Sequence, residues 1–87
     1  MPRFYFDIHD GCRQTLDDEG TELPDVQRAC EEAVAVLPEI VGREHGPTGD
    51  RDIVATVRTE DGAPVFRARL SVRSEWLGSP AGEMPVR

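Results

Sequence analysis

Residues 26–43, VQRACEEAVAVLPEIVGR, show the clearest structural pattern in the chain. Their apolar residues recur at spacings of three and four, which is typical of one face of an amphipathic α-helix. The apolar stripe comprises Val26, Ala29, Cys30, Ala33, Val34, Leu37, Ile40 and Val41. Pro38 interrupts the pattern, so we expect a kink near Leu37. The apolar phase continues beyond the proline, which predicts a helix from Val26 to Gly42 or Arg43.

The ten residues before this helix, LDDEGTELPD at positions 16–25, contain five carboxylates. A calcium loop needs carboxylates at alternating positions, whereas Asp17, Asp18 and Glu19 are consecutive and their side chains diverge. We favour a turn that leads into the helix: Gly20 permits the reversal, Pro24 stiffens the entry, and Asp25 caps the helix N-terminus. A weak site for a hard cation, built from Asp17, Asp18, Glu19 and Glu22, is the alternative. The sequence therefore predicts no metal site.

Two pairs of strands flank the helix. Residues 3–9, RFYFDIH, alternate with Phe4, Phe6 and Ile8 on one face, and the Asp10-Gly11 turn leads to a weaker edge strand at residues 12–16. Residues 44–50 have the composition of a loop. Strands at residues 53–59 and 64–72 are then joined by a second turn, Asp61-Gly62.

This order of elements predicts an α+β fold, ββαββ, in which one helix packs on one face of a mainly antiparallel, four-stranded sheet. Because 87 residues build one core, we expect a single domain over residues 1–77. Trp76 and Leu77 form an apolar hook at its end. Residues 78–87 read as a flexible C-terminal tail.

The charge of the chain is unevenly distributed. The net charge is −7, and residues 1–50 hold four arginines against twelve acidic residues, whereas residues 51–87 hold six against five. This balance disfavours nonspecific attraction to nucleic acid or to an anionic membrane. No signal peptide or membrane-spanning pattern is visible, so we expect a cytoplasmic protein. Cys12 and Cys30 are too few for a zinc site, and we expect free thiols, with Cys30 in the core.

The sheet face opposite the helix is the candidate binding surface. If Phe4, Phe6 and Ile8 face the helix, the other face carries Arg3, Tyr5, Arg58, Arg67 and Arg69, together with Arg13 and Arg73. These arginines could simply pair with Asp7, Glu60 and Glu75 across strands. They could also bind RNA or single-stranded DNA, or form a protein interface with apolar area from Val54, Val65 and Trp76.

Catalysis finds little support in the sequence. Asp7 and His9 lie on the same face of a strand, close enough to share a proton or a cation. Neither a nucleophile motif nor an oxyanion site accompanies them, so we expect no catalytic residues and no cofactor.

Three stretches together carry a resemblance: MPRFYFDIHDG at the start, DDEGTELPD before the helix, and DGAPVFRARLSVRSEWLG after it. In this order they resemble a family of small bacterial proteins of unknown function, over about residues 1–78. The resemblance implies a cytoplasmic α+β domain and brings no catalytic residues. We therefore expect a small binding or regulatory module that acts through protein–protein contacts and forms a homodimer. The alternative is an antitoxin-like regulator that binds nucleic acid through the arginines of the sheet face.

Overall fold

The computed structural model describes residues 1–11, 13–43 and 50–78, and it has an α+β fold. The elements are β1 (Arg3–Asp10), β2 (Arg13–Thr15), β3 (Thr21–Glu22), α1 (Val26–Arg43), β4 (Arg51–Arg58) and β5 (Pro64–Val72). The predicted sheet with one helix packed against it is confirmed. Cys12, residues 44–49 of the predicted loop at 44–50, and residues 79–87 of the predicted tail lie outside the described residues.

The strands form an antiparallel sheet in the order β2-β1-β4-β5. Each predicted hairpin is present, and the two hairpins join where β1 pairs with β4, from Tyr5 opposite Arg58 to Asp10 opposite Ile53. A register shift between Val57 and Arg58 brings Pro64 opposite Arg58. β1 and β4 are therefore the central strands, while β5 is an edge strand of nine residues.

A fifth strand, β3, was not predicted from the sequence. Its two residues pair with Arg3 and Phe4 of β1, and the Leu23 N–H donates to the Pro2 carbonyl at 3.0 Å. β2 and β3 both pair with β1 along the same edge, and residues 16–20 connect them without pairing with β1. The acidic segment is therefore part of the sheet edge as well as the approach to the helix.

The helix begins and ends where the sequence predicts. Asp25 Oδ1 accepts the Arg28 N–H at 2.9 Å, which confirms Asp25 as the N-cap. Pro38 lies inside the helix on an exposed position, and the helix continues to Arg43. This helix is too polar to cross a membrane, and the described residues contain no other.

The core lies between the helix and one face of the sheet. Its buried members are Phe4, Ala29, Ala33, Leu37, Ile40, Ile53, Ala55 and Val57, with Phe6, Ile8, Phe66, Ala68 and Leu70 partly buried against them. The helical stripe is narrower than predicted, because Val26 and Val34 are exposed and Cys30 is only half-buried. The small side chains of Ala29 and Ala33 let the helix approach the sheet closely, so residues at the flanks of the stripe stay outside the contact.

Candidate binding face

The sheet face opposite the helix, which we call the open face, is the candidate site. Cross-strand partners project to the same side of a sheet, so the register defines this face. It carries Tyr5, Asp7 and His9 of β1, Val54, Thr56 and Arg58 of β4, and Arg67 and Arg69 of β5. The single helix packs on the other side, and no element in the described ranges covers the open face.

Arg58 and Asp7 form an ion pair with two hydrogen bonds on the open face. Arg58 Nε donates to Asp7 Oδ2 at 2.6 Å and Nη2 donates to Oδ1 at 3.1 Å, while the guanidinium carbon lies 4.9 Å from the centre of the Tyr5 ring. The hydrogen bond from Arg58 lowers the pKa of Asp7 against the opposing effect of partial burial. Since the Asp7 side chain is only 12% exposed, this pair is shielded from solvent more than an ordinary surface pair.

Asp17 organises the acidic turn, residues 17–20. Its Oδ2 accepts the Phe6 N–H at 3.1 Å, and its Oδ1 accepts the N–H groups of Glu19 at 3.1 Å and Gly20 at 3.0 Å. Partial burial is the largest influence on the pKa of Asp17 and raises it, but the three backbone donors together outweigh it, so the pKa is lowered. The carboxylate thus replaces a missing strand partner for Phe6 and closes the turn.

The acidic turn is fixed to the open face by hydrogen bonds with Arg58, Asp7 and Arg3. Arg58 Nη2 donates to the Asp17 carbonyl at 2.9 Å, and the Asp17 N–H donates to Asp7 Oδ1 at 2.9 Å. Arg3 Nη1 donates to the Glu19 carbonyl at 2.9 Å and Nη2 pairs with Glu22 at 3.1 Å. The turn therefore borders the open face along the outer edge of β1.

Arg67 and Arg69 differ from the other arginines of this face. Both are exposed, and within residues 1–11, 13–43 and 50–78 neither makes a hydrogen bond or an ion pair. Arg67 lies opposite Thr56, which lies opposite Asp7, and Asp7 contacts Asp17. Arg67, Thr56 and Asp7 therefore form one row across the open face. The row begins at an unpaired arginine on β5 and ends at the acidic turn beside β1.

The structure places five of the six predicted binding residues on one face of the sheet, in two separate groups. Arg3, Tyr5 and Arg58 form one cluster, and Arg67 and Arg69 lie two strands away on β5. Trp76 is half-buried and follows the end of β5, outside the paired strands. The placement of Arg13 on the open face is wrong, because Arg13 lies opposite Asp10, on the side of Ile8 and the helix. The pairing of β2 with β1 sets this side, because Ile8 lies opposite Thr15 and Asp10 opposite Arg13, and cross-strand partners project to the same face.

Sequence reasoning missed the structural role of Asp17 and the pairing of Asp10 with Arg51 at 2.8 Å. The Asp-Asp-Glu-Gly pattern at residues 17–20 held a usable signal, because an aspartate often bonds the backbone two and three residues further on. Contrary to what the sequence suggested, the Asp7 carboxylate does not pair with His9. It accepts hydrogen bonds from Arg58 and from the Asp17 N–H, and the His9 side chain is exposed.

The geometry of the acidic turn does not suit a cation. Two of the four carboxylates considered for one are engaged, Asp17 by backbone donors and Glu22 by Arg3. Among the described residues, no three His, Cys, Asp or Glu side chains are grouped so that they could hold a metal ion. The charged side chains described on the open face are therefore suited to forming ion pairs with a partner molecule.

Comparison with known proteins gives a family. A family model described as "Domain of unknown function (DUF6894)" matches residues 3–71. The chain belongs to this family. No match was found among curated proteins or among solved structures. The DUF6894 match runs from the start of β1 almost to the end of β5, so it includes Tyr5, Asp17 and Arg67 and leaves Trp76 outside. The bacterial origin expected from the resemblance stays a prediction.

Proposed function

We propose that this DUF6894 chain is a non-enzymatic binding module, bacterial and cytoplasmic, that acts through protein–protein contacts and self-associates through its open face. One observation carries the proposal. The helix packs on one side of the sheet, and among the described residues no helix or strand packs on the other side, which the acidic turn contacts at its Tyr5 border. A sheet in a small domain gains stability when a second layer is added, and a second copy is a ready source of that layer.

The composition of the open face fits a protein contact. Tyr5, Val54 and Thr56 are half-buried along its middle, and arginines lie around them. Tyrosine and arginine are enriched at interfaces, where they combine apolar area with directed hydrogen bonds. A stable dimer commonly buries about 800 Å² on each copy.

Light scattering of the purified chain over a concentration series tests the proposal. We expect a mass that rises to that of a dimer. Val54→Glu should shift the association to higher concentration, because it places a charge in the middle of the interface. The monomer should tolerate this change, since Val54 lies opposite Arg69 and His9. Val34→Glu is the matched control, because Val34 is an exposed valine on the helix. A monomer at every concentration would refute self-association.

Binding of nucleic acid is the second candidate, and the unpaired Arg67 and Arg69 are the observation that favours it. Two features make it the weaker candidate. Tyr5 already contacts Arg58, and Asp7 and Asp17 place negative charge beside it. Anisotropy of labelled single-stranded DNA and RNA at low salt tests it: the signal should fall with added salt and be lost in Arg67→Glu. No signal at low salt would remove this candidate.

A further inference from the structure

The charges of the open face are divided between its two sides. β5 carries the unpaired Arg67 and Arg69, and the opposite border is the acidic turn, where Asp18 and Glu19 are exposed. Neither the Asp18 nor the Glu19 side chain makes a hydrogen bond within the described part of the chain, since the turn is held by Asp17 and by backbone groups. Unpaired positive charge therefore lies along one side of the face and unpaired negative charge along the other.

The symmetry of a dimer decides which charges meet. A two-fold axis parallel to the strands exchanges the two sides of the sheet and keeps each residue at its level along the strands. β5 of one copy then lies over the β1 border of the other. An axis perpendicular to the strands would instead place β5 over β5 and bring Arg67 and Arg69 near their own copies, which repel. Electrostatics favours the first arrangement.

The register then selects the contact. Arg67 is level with Thr56 and Asp7, and Asp7 binds the Asp17 N–H, so Arg67 shares one level along the strands with the start of the acidic turn, which leads directly into Asp18. Arg69 is level with His9 and Gln14 instead. Stacked sheets lie about 10 Å apart, a gap that an arginine reaching towards an opposing aspartate or glutamate can close.

We infer that the partner of the open face is a second copy related by a two-fold axis parallel to the strands, with Arg67 of each copy against Asp18 and Glu19 of the other. This inference rests on the proposed self-association and adds its symmetry and its contacts. The interface is isologous, so the arginine–carboxylate contact occurs twice in each dimer. Substituting Arg67 therefore removes two contacts at once.

A charge-exchange experiment on the full chain tests this arrangement. Arg67→Glu places like charges together twice and should weaken the dimer by at least about tenfold. The double substitution Asp18→Arg with Glu19→Arg should weaken it similarly. In a 1:1 mixture of the two variants both contacts regain opposite charges, so heterodimers should form and be detected as one mixed mass by native mass spectrometry.

Matched controls separate this contact from general effects of charge. Arg69→Glu makes the same change on the same strand and face, one residue pair away, and should weaken the dimer less than Arg67→Glu does. Glu39→Arg reverses an acidic residue on the exposed side of the helix and should leave the dimer unchanged. Circular dichroism of each variant confirms folding, which we expect because all of these side chains are exposed.

The outcomes distinguish the two proposals. A wild-type chain that is monomeric throughout would refute self-association itself. A wild-type dimer that Arg67→Glu leaves intact, or variants that stay monomeric when mixed, would refute this arrangement and leave self-association standing. Loss of the Arg67→Glu dimer together with salt-sensitive binding of single-stranded nucleic acid by the wild type, and no heterodimer on mixing, would assign Arg67 to the nucleic-acid candidate.

Discussion

Asp17 determines how the acidic segment folds, because its carboxylate bonds to backbone groups from two parts of the chain. It satisfies the Phe6 N–H in the middle of β1 and the N–H groups of Glu19 and Gly20 within the turn. A backbone donor that is partly buried without a partner costs free energy comparable to a lost hydrogen bond. On the edge away from β4, the stretch of β1 that lies between its pairing with β3 and its pairing with β2 has no described strand beside it. Asp17 accepts the Phe6 N–H there, so this donor is not left without a partner.

Asp17→Asn should reduce the free energy of unfolding by about 1–3 kcal/mol. An amide keeps one acceptor oxygen but turns an NH2 group towards another N–H donor, so at least one of the three bonds is lost. Glu39→Gln is the control: it also replaces a carboxylate with an amide, its side chain is exposed on the helix and makes no hydrogen bond among the described residues, and it should change stability by less than about 0.5 kcal/mol. Urea unfolding of both variants measures the difference, and equal values would contradict the role of Asp17.

Single residues were predictable where their partners are close in sequence. Asp25 was identified as the helix cap because the N–H that it accepts belongs to Arg28, three residues further on. Asp17 was not identified, since one of its donors, Phe6, lies eleven residues away and on another strand. Pairing of an arginine of the sheet face with Asp7 was among the alternatives, but which arginine it would be depends on the pairing of β1 with β4, which no local pattern encodes.

At the scale of elements, the turn between β2 and β3 depends on one glycine. Gly20 has a φ of +76°, a conformation that side chains rarely adopt. A Cβ atom there would lie 2.8 Å from Arg3 Cγ and 2.9 Å from Tyr5 Cε2. The turn thus packs its backbone directly on two side chains of the open face, and this contact holds the acidic turn at the border of the sheet.

Gly20→Ala should therefore cost more stability than the same change at Gly62. Gly62 has a φ of +89° in the β4–β5 turn, with no atom within 4 Å of an added Cβ, so it measures backbone strain alone. That strain is about 1–2 kcal/mol, and Gly20→Ala adds a steric conflict with Arg3 and Tyr5. Thermal unfolding of the two variants provides the comparison. If Gly62→Ala proves the more damaging, the close contact of the turn with Arg3 and Tyr5 is unimportant.

The elements themselves followed from the sequence, because each is set by a local pattern. Alternation in RFYFDIH defines β1, the spacing of three and four defines α1, and Asp61-Gly62 defines the turn before β5. β3 was missed because two residues are too few to show a period. The narrow buried stripe of the helix was also missed, since hydrophobicity alone does not distinguish Ala33 at the contact from Val34 at its flank.

At the scale of the whole molecule, the order of the strands was beyond the sequence. Each hairpin is local, but the pairing of β1 with β4 joins residues about fifty positions apart, and β1 could equally have paired with β5 on pattern alone. The actual pairing places Arg58 beside Asp7 and leaves Arg67 at the free edge. The division of charge across the open face is thus a consequence of topology.

Stability should fall in acid because two partly buried carboxylates have lowered pKa values. The hydrogen bond from Arg58 lowers the pKa of Asp7, and backbone N–H groups lower that of Asp17 despite its burial, both from an ordinary value of 3.8. A lowered pKa in the folded state means that the unfolded chain binds protons more readily in acid. The stabilising contribution is therefore complete above the unfolded pKa and is lost as the pH falls through about 4 and below.

Urea unfolding from about pH 7 down to about pH 2 measures this dependence. We expect a plateau at neutral pH and a steep loss of stability below about pH 4. In Asp17→Asn the loss should be shallower, because one of the two carboxylates no longer titrates. A wild-type stability that stays constant through this range would show that Arg58 and the backbone donors do not favour the ionised carboxylates. The Arg58–Asp7 ion pair, which also bonds to Asp17, would then be too weak to fix the acidic turn at the edge of the open face. The proposed dimer needs the turn in that position, because Asp18 and Glu19 lie in it.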